Sequence, residues 1–300
     1  MSLSRKLGMK RSKRFHNILY HVLVCLFGFL MIYPLLWMVM SSFKESSSIF
    51  RESYRLIPDT IHFENYINGW KGFGGYTFGV FFSNSFLIAI IATIGAVFSS
   101  AIIAFGFARL HFRGQGFWFS CVMLTMMLPF QVIMIPQFLI FKQLGWVNTI
   151  LPLTVPYFFG QAFFIFQNMQ FIRGIPAELD EAARIDGCTY YGIFLRIILP
   201  LIKPSIVTTA IFSFMWRWDD FFGALLYLNS PAKYTLSIAL KMFSDPSSQS
   251  DWGSMFAMST LSIIPIFLIF LFFQKYLVED NSRPERYEII FVLDGYCRLI

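Results

Sequence analysis

The sequence predicts an all-α membrane protein with six transmembrane helices, and three observations carry that prediction. Only 14% of the 300 residues are charged, 56% are hydrophobic and 38 are Phe, whereas soluble domains carry about a quarter charged residues. Six stretches, 18–40, 80–108, 117–141, 150–172, 205–228 and 256–277, reach the roughly 20 apolar residues that a helix needs to cross a bilayer. The basic residues cluster beside these stretches, which fits control of topology. That placement also sets aside the nucleic-acid reading that a net charge of +7 would invite.

Taken in order, residues 1–17 form a basic tail with Arg5, Lys6, Lys10, Arg11, Lys13 and Arg14 and no acid, which puts it in the cytoplasm. The first transmembrane helix, 18–40, is too long in its apolar core for a cleaved signal sequence and is followed by no small-residue site, so it reads as an anchor. Residues 41–79 then form an extracytoplasmic loop. Its Lys44, Arg51, Arg55 and Lys71 run against the charge rule but are diluted by four acids, and Gly69, Gly72, Gly74 and Gly75 read as flexible chain. Residues 80–277 hold the other five spans, the first of them long enough for its last turn to emerge into water. Loop 109–116 (Arg109, Arg113) is cytoplasmic and loop 142–149 (Lys142) lies outside. The long loop 173–204, with Arg173, Arg184, Arg196 and Lys203, is cytoplasmic again, and 229–255 lies outside. Residues 278–300 return as a cytoplasmic tail. Pro34, Pro129, Pro136 and Pro265 fall inside spans, where neighbours can satisfy the freed carbonyls.

Several chemistries find no support. The cysteines Cys25, Cys121, Cys188 and Cys297 show no paired spacing, so neither a disulfide framework nor a zinc site is expected. His16, His21, His62 and His111 lack metal-ligand spacing. There is no nucleophile motif and no phosphate-cradling Gly-Lys-Ser/Thr loop, so the chain is expected to bind no cofactor and to be no enzyme. No internal repeat is visible, which weighs against secondary transporters built from inverted halves.

Loop 173–204 is the most structured polar segment. Pro176 can open a helix, and Glu178, Asp180 and Glu181 suit the positive end of its dipole. Gly187 is a natural left-handed stop, and Thr189 can cap a second helix running to Pro200. Leu179, Ala182, Ala183 and Asp186 share one face at i, i+3, i+4 and i+7. That small-sided face can admit the backbone of a soluble partner, or it can pack on the protein's own spans. A second polar feature, Trp216-Arg217-Trp218-Asp219-Asp220, lies at membrane depth, where charges face a cavity or pair with one another. Arg217 and Asp220 stand at i, i+3. Trp216, Arg217, Asp219 and Asp220 can line the path of a sugar, or form an ion pair at the outer interface with tryptophans in the aromatic belt.

Glu181-Ala182-Ala183, Gly187 after three residues, Ile197 after nine more, and Leu199-Pro200 after one more resemble the Glu-Ala-Ala loop of the inner-membrane permease subunits of binding-protein-dependent importers of the ATP-binding-cassette (ABC) class. Leu128-Pro129-Phe130-Gln131, Ile135-Pro136, Leu144-Gly145-Trp146-Val147-Asn148-Thr149, Phe212-Ser213-Phe214-Met215-Trp216 and Phe273-Gln274-Lys275-Tyr276-Leu277-Val278 look like the sugar-importing branch. The likeness covers residues 18 to about 279. It implies a type I ABC importer permease fold in the cell membrane. It further implies a heterodimer with a second permease subunit, two ABC ATPase subunits that hold ATP and Mg, and an extracytoplasmic sugar-binding protein. On this likeness Glu181, Ala182, Ala183, Gly187, Ile197, Leu199 and Pro200 form the ATPase-coupling loop. The tail departs from the pattern, since Asp280-Asn281-Ser282-Arg283-Pro284 and the apolar run after it replace a short Gly-rich end, and the family's tail contact does not carry over. A secondary transporter working without an ATPase is the alternative, although it leaves the loop unexplained. An intramembrane enzyme would need buried catalytic groups that the sequence does not show.

Overall fold

The computed structural model describes residues 3–244 and 251–278, with side chains from 16 to 275 within those ranges. The atypical tail and Cys297 lie outside the described residues. Among those residues all regular structure is helical, apart from an isolated bridge between Phe73 and Tyr76. The chain divides into two compact units, Met1–Gly72 with Met242–Leu261, and Phe73–Lys241 with Ser262–Ile300.

In the first unit, helix α1 (Leu3–Ser41) presents apolar side chains to its surroundings between Ile18 and Leu36. The segment after it contains a short helix, α2 (Glu64–Lys71), where the sequence suggested loop. The turn between them is organised by buried polar groups. Lys44 donates through Nζ to the carbonyls of Glu52 and Arg55. Asn65 Nδ2 donates to the carbonyls of Ser42 and Lys44 at 2.8 and 2.7 Å.

In the second unit, α3 (Phe78–Arg109) is the central element. One face buries Ser85, Ala89, Ala92, Ala96, Ser100 and Ala104, while Leu87, Ile90, Ile94, Phe98 and Ile102 point outward. Small residues inside and large apolar ones outside suit a helix whose exterior is lipid or another membrane subunit. Gly95 continues the logic, because a Cβ there would stand 2.5 Å from Phe158. Helix α6 (Ala162–Arg173) and a later helix, Lys203–Trp218, pack on α3. A buried polar knot joins those two to each other, with Ser205 Oγ donating to Asn168 Oδ1 at 2.7 Å and Asn168 Nδ2 to Thr209 Oγ1 at 3.3 Å.

The spans are less regular than the sequence suggested. Among the described residues, His16–Ser41, Phe78–Arg109 and Trp252–Lys275 are long and apolar enough to cross a membrane, and two bent pairs raise the number to as many as five. The stretch 117–141 is α4 (Gln115–Met127) and α5 (Phe130–Gln143), bent by 102°. The break falls at Leu128-Pro129, where the residue before proline is driven extended, at ψ 121°. Pro34 and Pro136, by contrast, sit inside unbroken helices. The stretch 150–172 opens as 3₁₀ turns at Leu151–Leu153 and Val155–Phe159, each with a proline, which lacks the N–H, at its second position, and only then becomes α6. The fifth stretch ends its helix at Trp218, ahead of the two aspartates. Cys25 and Cys121 are free thiols.

Candidate coupling loop and polar cluster

Helix α7 (Glu178–Ile185) carries the three acids in its first turn, where the unpaired N–H groups favour negative charge. Pro176 stands ahead of it; Ala177 is the cap residue. At the other end Gly187 has φ 86°. Its N–H donates to the Arg184 carbonyl at 3.0 Å, and the Cys188 N–H donates to the Ala183 carbonyl at 2.9 Å. These are the paired bonds of a Schellman ending. Thr189 then caps α8 (Tyr190–Ile193), accepting the Gly192 N–H at 3.3 Å. A π-helical turn, Phe194–Ile198, follows, with Leu199 N–H bonded to the Phe194 carbonyl. It lies directly ahead of Pro200, which has no N–H for the Arg196 carbonyl. Leu199–Leu201 forms the one-turn α9.

The facing of α7 corrects the sequence reading. Ala183 is 6% exposed and belongs to an apolar cluster with Phe105, Ile172, Ile175, Ile193 and Phe194, against which Leu179, Ile197 and Leu199 also pack. Ala182 and Asp186 point outward. The expected face at 179, 182, 183 and 186 is therefore split, because the core takes up the stripe containing the larger Leu179. The outward side includes Glu178, Glu181, Ala182 and Ile185, again at i, i+3, i+4 and i+7. Ile185, which the sequence reading passed over, is 87% exposed. Its signal was present, an aliphatic side chain on the polar side of a short amphipathic helix. Gly187 and Pro200 are exposed.

Helix α7 is also tied to α3. Arg109, the last residue of α3, places Nε 2.7 Å from Asp180 Oδ2, the two side chains being 11% and 15% exposed. Arg109 Nη2 donates to the Ile175 carbonyl at 2.7 Å. Burial pushes the Asp180 carboxyl above its ordinary range, against the pull of the Arg109 guanidinium.

The run from Trp216 to Asp220 is divided among tasks. Trp218, in α10 (Lys203–Trp218), is buried among Phe82, Phe86 and Phe214, and its Nε1 donates to the Ser262 carbonyl at 3.1 Å. Arg217 pairs with Asp220 at 3.6 Å, lies 4.4 Å from the Tyr157 ring centre and donates to the Tyr157 hydroxyl. Asp220 also caps α11 (Phe221–Tyr227), accepting the Gly223 N–H at 2.9 Å. Trp216 stacks on Phe164 but remains partly exposed, and Asp219 is exposed. Tyr157 was missed in the sequence because its partner lies sixty positions away. Asn148 was missed too. At φ 61° it gives its N–H to the Tyr227 carbonyl at 2.7 Å, accepts at Oδ1 from the N–H groups of Asn229 and Ser230, and donates through Nδ2 to Ser230 Oγ at 2.8 Å.

Residues 96–282, which include α7 and the polar run, match the family described as binding-protein-dependent transport system inner membrane component. The chain belongs to that family. It is 38% identical over 248 residues to the probable ABC transporter permease protein YurM of Bacillus subtilis (strain 168), covering 82% of this chain and 80% of that protein. It is 34% identical over 254 residues to the arabinooligosaccharides transport system permease protein AraQ of Halalkalibacterium halodurans, covering 84% and 89%. Its fold is similar to the crystal structure of a bacterial ABC transporter involved in the import of the acidic polysaccharide alginate, with a TM-score of 0.75 at 24% identity over 89% of this chain and 98% of that one. As a member of this inner-membrane family, the chain is a transport component of the cell membrane, and its apolar helices are its membrane part.

Proposed function

We propose that this chain is one of two membrane halves of an ATP-driven importer of an oligosaccharide, and that α7 is where it meets the ATPase. The build of α7 carries the reading. Leu179 and Ala183 seat it on the chain's own core, Gly187 closes it, and Glu181, Ala182 and Ile185 face outward. A rigid short helix with one protruding aliphatic side chain suits a cleft on a soluble partner, where a central buried anchor carries most of the affinity. With no phosphate-cradling loop of its own, the chain leaves ATP and Mg to two ATPase subunits and holds no cofactor. A second, different permease completes the path, and an extracytoplasmic binding protein delivers the solute. The name of the relative AraQ favours an oligosaccharide. Exposed Trp216 and Asp219 are the path candidates on this half, and both termini lie in the cytoplasm.

The test is co-purification from cells expressing the whole operon-like set of subunits, followed by uptake of labelled arabinan, maltodextrin and chitin oligosaccharides in cells lacking and regaining this chain. The expected result is retention of an ATPase, with its loss on Ile185→Asp, and ATP-dependent uptake of one sugar class. Uptake by this chain alone, driven by an ion gradient, would establish a secondary transporter instead. For topology, a cysteine at Ser48 should react with an impermeant thiol reagent from outside and one at Ser12 should not.

A further inference from the structure

The fold leaves a question that the docking face alone does not answer, namely how a push on an eight-residue helix reaches the membrane. Two attachments are available. Ala183 and Leu179 rest in an apolar cluster, a non-directional contact that can slide. Arg109 is different in kind. It is the terminal residue of the 32-residue helix α3, and its guanidinium fork engages two points of the coupling segment at once. One is the Asp180 carboxylate, 2.7 Å from Nε, in the first turn of α7. The other is the Ile175 carbonyl, 2.7 Å from Nη2, in the connection that leads into α7. The bond to the Ile175 carbonyl is directional and the Asp180 contact is a close ion contact without hydrogen-bond geometry at Nε, so one planar group holds the segment at two points, by one bond and one charge pair. The ion pair is largely shielded from water, so it is not a loosely screened surface contact. It also joins positions 71 residues apart, which gives it no role in holding α7 helical.

We propose that Arg109 is a positioning residue for energy coupling, a strut that makes α7 and the end of α3 move as one body, so that displacement of α7 is delivered to α3 and not absorbed in the connecting loop. The inference rests on the reading of α7 as the ATPase contact. Helix α3 then becomes the receiving element. Its buried stripe of small residues packs closely on α6 and α10, so movement at its end passes to both. On this account the Glu-Ala-Ala segment supplies the contact, while the pairing of residue 109 with residue 180 supplies the transmission.

The test uses the complete transporter in proteoliposomes: this chain, its partner permease, the ATPase and the binding protein, with whichever labelled oligosaccharide of the panel above the unaltered complex imports. Single changes, Arg109→Gln or Asp180→Asn, leave one shielded charge unpaired and should lower assembly. The double variant Arg109→Gln/Asp180→Asn removes both charges at nearly constant volume and should assemble like the unaltered chain. It should retain the ATPase and hydrolyse ATP, yet move about fivefold or more less sugar per ATP hydrolysed. That ratio separates a strut from a merely structural pair, which would change assembly and leave the ratio intact. An unaltered sugar-to-ATP ratio in the double variant overturns the strut while leaving the docking reading standing. Undiminished ATPase retention on Ile185→Asp overturns the docking reading, and the strut with it.

Discussion

The loop around α7 and the run from Trp216 to Asp220 are both polar segments beside apolar helices, yet they are assembled in different ways. In the α7 loop the ends of the helices are satisfied within a few residues. The acids sit at their own helix start, Gly187 bonds back to Arg184, and Thr189 caps three residues on. In the 216–220 run the decisive partners are remote, with Arg217 against Tyr157 and Trp218 against Phe82, Phe86 and Ser262. The lesson is that a segment built from local bonds can be moved as a piece by a partner, whereas one built from remote bonds is part of the frame. Substitutions should therefore have opposite signatures, with loss of coupling at the first and loss of stability at the second.

The largest expected effect is at Asp220. Asp220→Ala removes the cap on α11 and leaves Arg217 without its carboxylate in a largely shielded place, together about 3 kcal/mol of destabilisation. The neighbouring Asp219→Ala, at an exposed position, should leave thermal unfolding in detergent close to that of the parent and show its effect, if it lines the path, only in uptake. Equal losses of stability at 219 and 220 would erase the distinction between frame and path.

Next comes the split face of α7. Ala183→Leu forces extra volume into a filled cluster and should destabilise the chain by about 1–3 kcal/mol even with no ATPase present. Ala182→Leu, one residue earlier and facing outward, should leave unfolding unchanged and weaken ATPase retention. If the two variants behave alike in the isolated chain, the facing of α7 is wrong.

Smaller again is Gly187→Val. A β-branched residue at φ 86° is opposed by about 1–2 kcal/mol of backbone strain. No neighbouring atom lies within 4 Å of an added Cβ, so Gly187→Asn, which tolerates the left-handed region, should recover most of the loss. If Asn fares no better than Val, the side chain and not the backbone is at fault, and the glycine serves a close contact with the ATPase. Pull-down of the ATPase by each variant separates the two causes.

These cases also show what could be read from the sequence. The all-helical membrane character, the helix stop at Gly187, the cap at Thr189 and the Arg217–Asp220 spacing were legible, because each depends on composition or on residues within a turn of one another. The break at Leu128-Pro129 and the 3₁₀ turns near Pro152 and Pro156 were less so. A proline can be absorbed inside a helix, as Pro34 and Pro136 are, and which outcome prevails is decided by the packing around it. The inward turn of Ala183 was not legible either. Small residues at i, i+3 and i+4 define a surface but do not say what covers it, and that answer lay beyond a helical turn, in Ile172 and Phe194 and, far away in the chain, in Phe105. Arg109 was read only as a topology signal, since nothing near position 109 announces an aspartate at 180.

The smallest effect concerns pH, and it sets α7 against the start of the last described helix (Trp252–Val278). Both regions hold an aspartate drawn partly out of water, with an ordinary pKa of 3.8 in each case. At Asp180 burial, opposed by Arg109, raises the pKa. At Asp251 burial also pushes upward, but hydrogen bonds from the Ser254 hydroxyl and N–H, the Ser46 hydroxyl and the Gly253 N–H outweigh it, and the carboxyl is lowered. The signs of the linkage are therefore opposite. Folded chain binds the Asp180 proton more tightly than unfolded chain, so the contribution of Asp180 is fully present below pH 3.8 and declines as pH rises through its raised value. Folded chain binds the Asp251 proton less tightly, so its contribution is present above pH 3.8 and declines as pH falls through its lowered value. Amide exchange in peptides covering 176–187 and 251–258, each compared with its Asp→Asn variant at matched pH between 3 and 6, reads the two separately. Relative protection of the first should weaken as pH rises and that of the second as pH falls. A common direction for both would mean that Arg109 outweighs burial at Asp180, which would make the ion pair a net holder of the ionised carboxylate.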